Sequence, residues 1–253
     1  MSTEEKIETK DKPTATEPIC QDAEDNSEKS PDKTASDGKE TKNDSEAENQ
    51  DEKETKDDQS NNNIPSTTTH RKWVLWFDNP RFAEEGAPWR DNLKQCGTIT
   101  SAETFWRVYN NVKPISQLPL NSNYHIFKEG VEPMWEDAEN INGGKFVLTV
   151  PKKESRAGKL EDWWLCTLLG IIGETMDKSG NVICGAVLST RKAQDRIALW
   201  LNTDKREVCI EIGEKWKKAM ELEDHRKMTV KYQLHKDAAA AGHSFKNEIK
   251  FEV

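Results

Sequence analysis

The first quarter of this 253-residue chain lacks the residues that build a hydrophobic core. All nine Trp, all seven Phe and all three Tyr come after residue 70, and only three Ile represent the branched aliphatic residues before it. Residues 1–60 hold 20 acidic side chains against nine basic ones. A segment this polar buries too little apolar surface to offset its conformational entropy. We therefore expect a disordered acidic tail at 1–68, followed by one folded domain at 69–253.

The folded part also lacks the marks of a membrane, secreted or zinc-binding protein. Its longest apolar stretch, Trp163 to Ile172, has only about half of the ~18 residues that a membrane span needs. No apolar segment at the N-terminus marks the chain for secretion, so we expect a cytoplasmic protein with the nucleus as a further location. The five Cys are scattered, without a CxxC pair or a Cys/His cluster, which predicts reduced thiols and neither a metal nor a cofactor.

Charge is divided unevenly along the chain. The 193 residues after position 60 hold 26 acidic and 28 basic side chains, so they are nearly balanced. The isoelectric point of about 5.3 therefore describes the tail and not the domain. The overall acidity of the chain gives no information about partners.

Apolar patterning in the domain predicts an α+β fold, a largely antiparallel sheet with helices on one face. Helical spacing predicts helices at about 100–111, 160–172 and 206–220, the first opened by a capping box between Thr100 and Glu103. Short apolar or alternating runs predict strands at 73–77, 124–127, 145–150, 182–188, 196–201, 229–234 and 248–253.

Catalytic chemistry has little support in the sequence. No glycine-rich segment has the spacing of a phosphate-binding loop. Cys166 lies in the middle of an apolar helix, where a buried or merely surface thiol is far commoner than a nucleophile. The adjacent acids Glu136 and Asp137 are in a loop, where such pairs are usually just solvated.

Two large rings in polar loops favour a binding function instead. Trp89 and Trp135 lie outside every apolar-periodic segment, and Glu136 follows the second ring directly. A basic turn with Arg191 and Arg196 joins two predicted strands. A lone loop Trp usually covers the core, and a lone basic turn is usually a solvated hairpin end. Together, however, these groups suit a cationic guanine with a phosphate chain, because rings stack on the base, a carboxylate accepts from its N1–H and N2–H, and Arg binds phosphates.

The chain resembles the eukaryotic translation initiation factors that bind the messenger RNA 5′ cap, the four-E class. The most specific match is Phe127-Lys-Glu-Gly-Val-Glu-Pro-Met-Trp-Glu-Asp137. Other matching stretches occur in the family's order and cover essentially residues 70–253: 73–77, 103–110, 143–146, 164–174, 182–187 and 196–200. The resemblance implies a curved, eight-stranded antiparallel sheet with three helices on its convex face and the cap in the concave face.

The resemblance also implies six cap-binding side chains, which are Trp89, Trp135, Glu136, Arg191, Arg196 and Trp200. The first two rings would sandwich 7-methylguanine, the carboxylate would bond its N1/N2 edge, and the third Trp would touch the N7-methyl group. The two Arg would hold the phosphates. Because N7 methylation makes the base cationic, the sandwich would favour methylated over plain guanine. No bond is broken, so the resemblance implies a binding protein and no enzyme.

A second site is implied on the convex face, where helices present five residues to a partner: Ala102, Trp106, Leu165, Cys166 and Leu169. The partner would be a helical peptide with the pattern Tyr-x-x-x-x-Leu-apolar, from a scaffold subunit of the initiation complex or from repressor proteins. On periodicity alone, the Trp on the first helix is more often a core residue. The protein itself is expected to be a monomer that does not bind membranes.

Two departures from the family pattern leave alternatives open. The loop before Trp89 is longer than the family's usual link, and Cys166 stands where the family usually has an acid. The chain could therefore be an interaction scaffold with an impaired cap pocket, or a translational repressor. A nucleotide hydrolase that uses Glu136 or Cys166 is the remaining alternative.

Overall fold

The computed structural model describes residues 67–222, 228–241 and 248–253. The acidic tail predicted at 1–68 lies outside the described residues as far as position 66. Thr68 is the first residue of a strand, one position before the predicted start of the domain.

The described residues form one antiparallel, curved sheet, which confirms the predicted fold class. The order of strands across the sheet is β2-β1-β3-β5-β6-β4-β7-β8, and each neighbouring pair runs antiparallel. The strands are β1 (Thr68–Asp78), β2 (Lys94–Ser101), β3 (Asn123–Lys128), β4 (Gly144–Pro151), β5 (Ile183–Ser189), β6 (Gln194–Leu201), β7 (Val230–Leu234) and β8 (Phe251–Glu252).

Five α-helices accompany the sheet in the described ranges: α1 (Ala102–Asn111), α2 (Lys152–Arg156), α3 (Lys159–Ile172), α4 (Arg206–Ala219) and α5 (His235–Ala241). The long helices α1, α3 and α4 are the three that the sequence predicts. The short α2 occupies the polar segment before α3, and α5 follows β7 directly. None of these helices is long and apolar enough to cross a membrane.

The two faces of the sheet have different partners because successive side chains of a strand point to opposite sides. Tyr124 and Ile126 of β3 pack with buried residues of α3 and α4 in the main core. Phe127 belongs to a second, smaller cluster with Val187 and Trp200. We call the side of the sheet that carries this smaller cluster the open face.

The start of α1 differs from the prediction. The helix is capped by Ser101, whose side chain accepts from the backbone N–H of Thr104 at 3.2 Å, while the Thr104 hydroxyl accepts from the Ser101 N–H at 2.8 Å. The predicted capping box of Thr100 with Glu103 is therefore wrong by one residue. Thr100 instead belongs to β2, a strand that the sequence analysis missed because Ile99 is its one buried residue.

Candidate functional site

Four strands supply the floor of a cavity on the open face. Every second residue of each strand points into it, as the two-residue period of a strand requires. The floor residues are Asn123 and His125 of β3, Lys145 and Val147 of β4, Val187 and Ser189 of β5, and Arg196, Ala198 and Trp200 of β6. The cavity has a volume of about 490 Å³, which suits a nucleotide-sized ligand.

Two loops form the walls of this cavity. Trp89 begins a 3-10 turn, Trp89–Asn92, directly after Pro88, and its side chain lines one wall. Trp135 and Glu136 come from the connection between β3 and β4 and line another. The fold thus brings the six residues predicted to bind the cap into one cavity, including Arg191, which follows β5.

The Trp135 loop is held in shape by its own polar residues. The Asp137 carboxylate accepts from the backbone N–H groups of Glu132 and Glu139, both at 2.9 Å. The buried Asn140 amide donates to the carbonyls of Glu132 and Met134, both at 2.8 Å. Because these bonds satisfy the backbone of a tight loop, they fix the position of the ring and of the exposed carboxylate that follows it.

The Trp89 loop is held by contacts to its neighbours in space. Its ring meets His125 edge to face, with 5.8 Å between the ring centroids and 72° between the planes. The next residue, Arg90, forms an ion pair with Glu132 of the other loop. Trp89 nevertheless remains 38% exposed, so it is accessible to a ligand.

Three basic side chains line the cavity, Lys145, Arg191 and Arg196. The Arg191 guanidinium is partly buried, and burial together with the charge of Arg196 lowers the pKa of Arg191. Lys145 is almost fully buried, and its desolvation and the nearby Arg196 lower the pKa of Lys145 to about 8. The ammonium group is still charged at neutral pH. Arg196 thus raises the cost of both neighbouring charges, and a cluster of cations of this kind suits an anion.

Trp200 lies at the floor and is 5% exposed. It contacts Phe127 with ring centroids 5.3 Å apart and His235 with centroids 4.1 Å apart. Burial, followed by the charge of Lys145, lowers the pKa of His235 to about 3, so that imidazole is neutral. The third predicted ring is thus a rigid part of the floor, in contrast to the two loop rings.

Four polar residues of the floor were not predicted from the sequence, namely Asn123, His125, Lys145 and Ser189. The signal for Lys145 was present, because it alternates with the buried Phe146 in a predicted strand and so faces the same side as Val147. The signal for Asn123 and His125 was the same alternation against Tyr124 and Ile126. Alternation alone does not show which face of the sheet is open, because this depends on the face against which the helices pack.

Comparison with known proteins places the chain in a family. Residues 68–250 match the sequence model described as eukaryotic initiation factor 4E. The chain belongs to the eukaryotic initiation factor 4E family. Among its relatives is the eukaryotic translation initiation factor isoform 4E of Capsicum annuum, which is 40% identical over 66% of this chain and 79% of that protein.

Solved structures of initiation factor 4E proteins share the fold. The complex of Ascaris suum eIF4E-3 with the m2,2,7G cap has a TM-score of 0.65 and 33% identity, over 74% of this chain and 98% of that one. The complex of C. elegans eIF4E-3 with the 4E-binding protein Mextli and a cap analog has a TM-score of 0.64 and 30% identity, over 74% and 99% of the two chains. The first protein was therefore solved with a cap, and the second with both a cap analog and a binding protein.

On the helix side of this initiation factor 4E fold, two large apolar side chains are exposed. Trp106 of α1 is 42% exposed and Leu169 of α3 is 43% exposed. The exposed Trp106 agrees with the family resemblance and not with the core position that periodicity alone favours. Ala102 at the start of α1 is exposed, and Leu165 and Cys166 of α3 are half-buried. Helices α1 and α3 also flank a common cleft of about 270 Å³.

Cys166 has the character of a packing residue and not of a nucleophile. Its thiol is half-buried against the main core, and burial together with the negative charge of Asp162 raises its pKa. A raised pKa leaves little thiolate at neutral pH. Cys166 also lies on a helix that packs on the face of the sheet opposite the cavity. Of the two residues named for a nucleotide hydrolase, only Glu136 therefore lines the cavity.

Proposed function

We propose that this protein binds the 7-methylguanosine 5′ cap of messenger RNA in the open-face cavity. The observation that carries the proposal is the lining of a single cavity by two Trp from separate loops, an exposed carboxylate and three cations. Trp89 and Trp135 stack on the two faces of the methylated base. A cationic base between indole rings gains cation–π attraction in addition to stacking.

Glu136 and the cations divide the remaining recognition between base and phosphates. The exposed carboxylate accepts from the N1–H and N2–H groups of guanine, an edge with two adjacent donors. Arg191, Arg196 and Lys145 bind the phosphate chain at the other end. Trp200, which is buried in the floor of the cavity, contacts the N7-methyl group.

We further propose that the protein acts in translation initiation or its regulation, in the cytoplasm, without catalysing a reaction. Trp106, Leu165 and Leu169 present an apolar surface to a helical segment of a scaffold subunit or a repressor. The cap and the partner therefore bind on opposite faces of one sheet. Incubation with a cap analogue is expected to return the analogue unchanged.

A pair of titrations tests the proposal. Binding of 7-methyl-GTP and of GTP is followed by quenching of Trp fluorescence and by calorimetry. We expect at least tenfold tighter binding of the methylated nucleotide, because a desolvated cation–π contact is worth about 2 kcal/mol. Equal affinity for the two nucleotides would contradict the proposal.

The role of the carboxylate has a matched control in the same loop. Glu136→Gln is expected to weaken 7-methyl-GTP binding by roughly 10- to 100-fold, since a hydrogen bond to a charged group is worth about 1.5–3 kcal/mol. Glu139→Gln removes a neighbouring exposed carboxylate that does not line the cavity and is expected to leave the affinity unchanged. Similar losses in both variants would indicate a general effect of charge.

A further inference from the structure

A buried polar network runs beneath one wall of the cavity and does not belong to the six predicted cap-binding residues. At its centre is Asp78, the fully buried last residue of β1. Its Oδ1 accepts from the Asn123 amide at 2.9 Å and lies 2.6 Å from the Nε2 atom of His125. Asp78 and Asn123 are direct neighbours across the β1–β3 pair, so the sheet register itself sets this contact.

Burying such a network is costly, which calls for a compensating role. A carboxylate loses its hydration in the interior, and apolar side chains of the same size would pack there at lower cost. In the described part of the chain, Asp78 Oδ2 and His125 Nδ1 have no hydrogen-bond partner. The core therefore gains little from this network, whereas both of its ends reach the cavity.

One end of the network holds the Arg191 guanidinium. Its Nη2 atom donates to Asn123 Oδ1 at 2.8 Å, and its Nη1 atom donates to the carbonyls of Thr190 at 2.8 Å and Ser122 at 3.3 Å. A guanidinium has five N–H donors, so two remain for a ligand. Since three donors are fixed by the protein, the direction of the other two is fixed before any ligand arrives.

The other end of the network holds a stacking ring. His125 meets Trp89 edge to face, and Asp78 fixes the orientation of this imidazole through its Nε2 atom. The loop between β1 and β2 contains two 3-10 turns, Pro80–Phe82 and Trp89–Asn92, and the Arg90–Glu132 ion pair. The Asn79 amide anchors its start by donating to the Leu120 carbonyl and the Ser122 hydroxyl, but Trp89 lies ten residues further along. Among the described contacts, the His125 imidazole is the one that joins the Trp89 ring to the sheet.

We propose that Asp78 and Asn123 are positioning residues that preorganise both ends of the nucleotide site from a single buried carboxylate. Asn123 holds Arg191 for the phosphates, and His125 holds Trp89 for the base. This inference rests on the proposed binding of a methylated guanine nucleotide. Preorganised groups bind more tightly because their ordering is completed during folding and not at binding.

The test separates the two ends by using two probes, the nucleoside 7-methylguanosine and the nucleotide 7-methyl-GTP. We expect Asn123→Ala to weaken nucleotide binding about tenfold and nucleoside binding less than twofold, as for loss of one hydrogen bond to a charged group. We expect His125→Leu to weaken both probes by a similar factor. If Asn123→Ala weakens both probes equally, its role is merely structural and the inference is wrong.

A double-mutant cycle tests whether Asn123 acts through Arg191. Arg191→Met removes the guanidinium, and in that background Asn123→Ala should cause no further loss beyond about twofold, because coupled residues are not additive. Losses that multiply in the double variant would overturn the inference. A wild-type protein that binds both 7-methyl-GTP and GTP equally would instead refute the proposed function, so the two failures are distinguishable.

A measurement on the unmodified protein covers the case in which the variants unfold. NMR of the ligand-free wild type should give resolved, slowly exchanging Nη hydrogens for Arg191, as expected for a guanidinium with restricted rotation. Thermal unfolding of Asn123→Ala and of the milder Asn123→Ser is recorded alongside. A freely rotating Arg191 guanidinium in the ligand-free protein would overturn the inference even if neither variant folds.

Discussion

Single residues of the cavity differ in how far the fold has altered their chemistry. Lys145 is the extreme case, because a nearly buried ammonium keeps its charge at neutral pH only by a small margin. Arg196 adds to the cost of this charge and contributes to the same anion site. A phosphate group offsets both the desolvation of the Lys145 ammonium and its repulsion from Arg196. Ligand binding and protonation of Lys145 therefore favour each other.

This coupling predicts a pH dependence. With a pKa of about 8 in the free protein, Lys145 loses its charge as the pH rises through 8, and a bound phosphate raises that pKa. The advantage of wild type over Lys145→Met in binding 7-methyl-GTP should therefore be largest near pH 7 and shrink between pH 8 and 9. Titrations of both proteins at each pH measure the ratio of their dissociation constants. Ionisation of the methylated base affects both proteins equally and cancels in this ratio. A ratio that stays constant over this range would contradict the prediction.

The loops that carry Trp89 and Trp135 are joined by the ion pair of Arg90 with Glu132. Both side chains are substantially exposed, so the pair itself contributes little stability. Arg90→Glu should weaken 7-methyl-GTP binding about two- to fivefold at low salt, and the exchanged pair Arg90→Glu with Glu132→Arg should restore it. The effect should fade at high salt. Failure of the exchanged pair to recover affinity would mean that the loops do not depend on this contact.

At the level of secondary structure elements, the cap of α1 supports the helix that presents Trp106. Ser101→Ala removes the side-chain acceptor for the Thr104 N–H and should lower the free energy of unfolding by about 1 kcal/mol. Thr100→Ala is the matched control, because this neighbouring hydroxyl does not cap the helix. Chemical denaturation of both variants measures the difference. An equal loss in both would indicate that the strand, and not the cap, is affected.

The elements themselves were predictable to the extent that their apolar patterns were strong. The helices α3 and α4 and the strands β4, β5 and β6 follow from alternation or helical spacing of large apolar residues. Strand β2 was not predictable because a single residue, Ile99, is buried there, and its pairing with β1 is what makes it a strand. The meeting of Trp89 with His125, far apart in the sequence, depends on loop geometry that no local pattern encodes. Five of the six candidate residues stand out in the sequence as rings, a carboxylate and basic residues in polar loops or turns, whereas Trp200 came from the family resemblance alone.

On the scale of the whole molecule, the sheet separates two binding surfaces. The cavity lies on the open face, whereas Trp106 belongs to a helix that packs on the other face. Trp106→Ala should abolish most binding of a Tyr-x-x-x-x-Leu-apolar peptide, by about 2 kcal/mol or more, and leave 7-methyl-GTP binding unchanged. Trp89→Ala should do the reverse. Pull-downs with peptide and with 7-methyl-GTP resin compare the four combinations, and loss of both activities in either variant would show that the surfaces are not independent.

The strict alternation along β3 to β6 restricts how such a molecule can change over evolution. Inserting or deleting one residue within these strands would exchange cavity floor and core, since Lys145 and Phe146 would trade sides. The connecting segments carry no such penalty, because surface loops such as the link before Trp89 tolerate changes in length. New ligand preferences in descendants of this chain should therefore arise from point substitutions in the strands and from length changes in the loops.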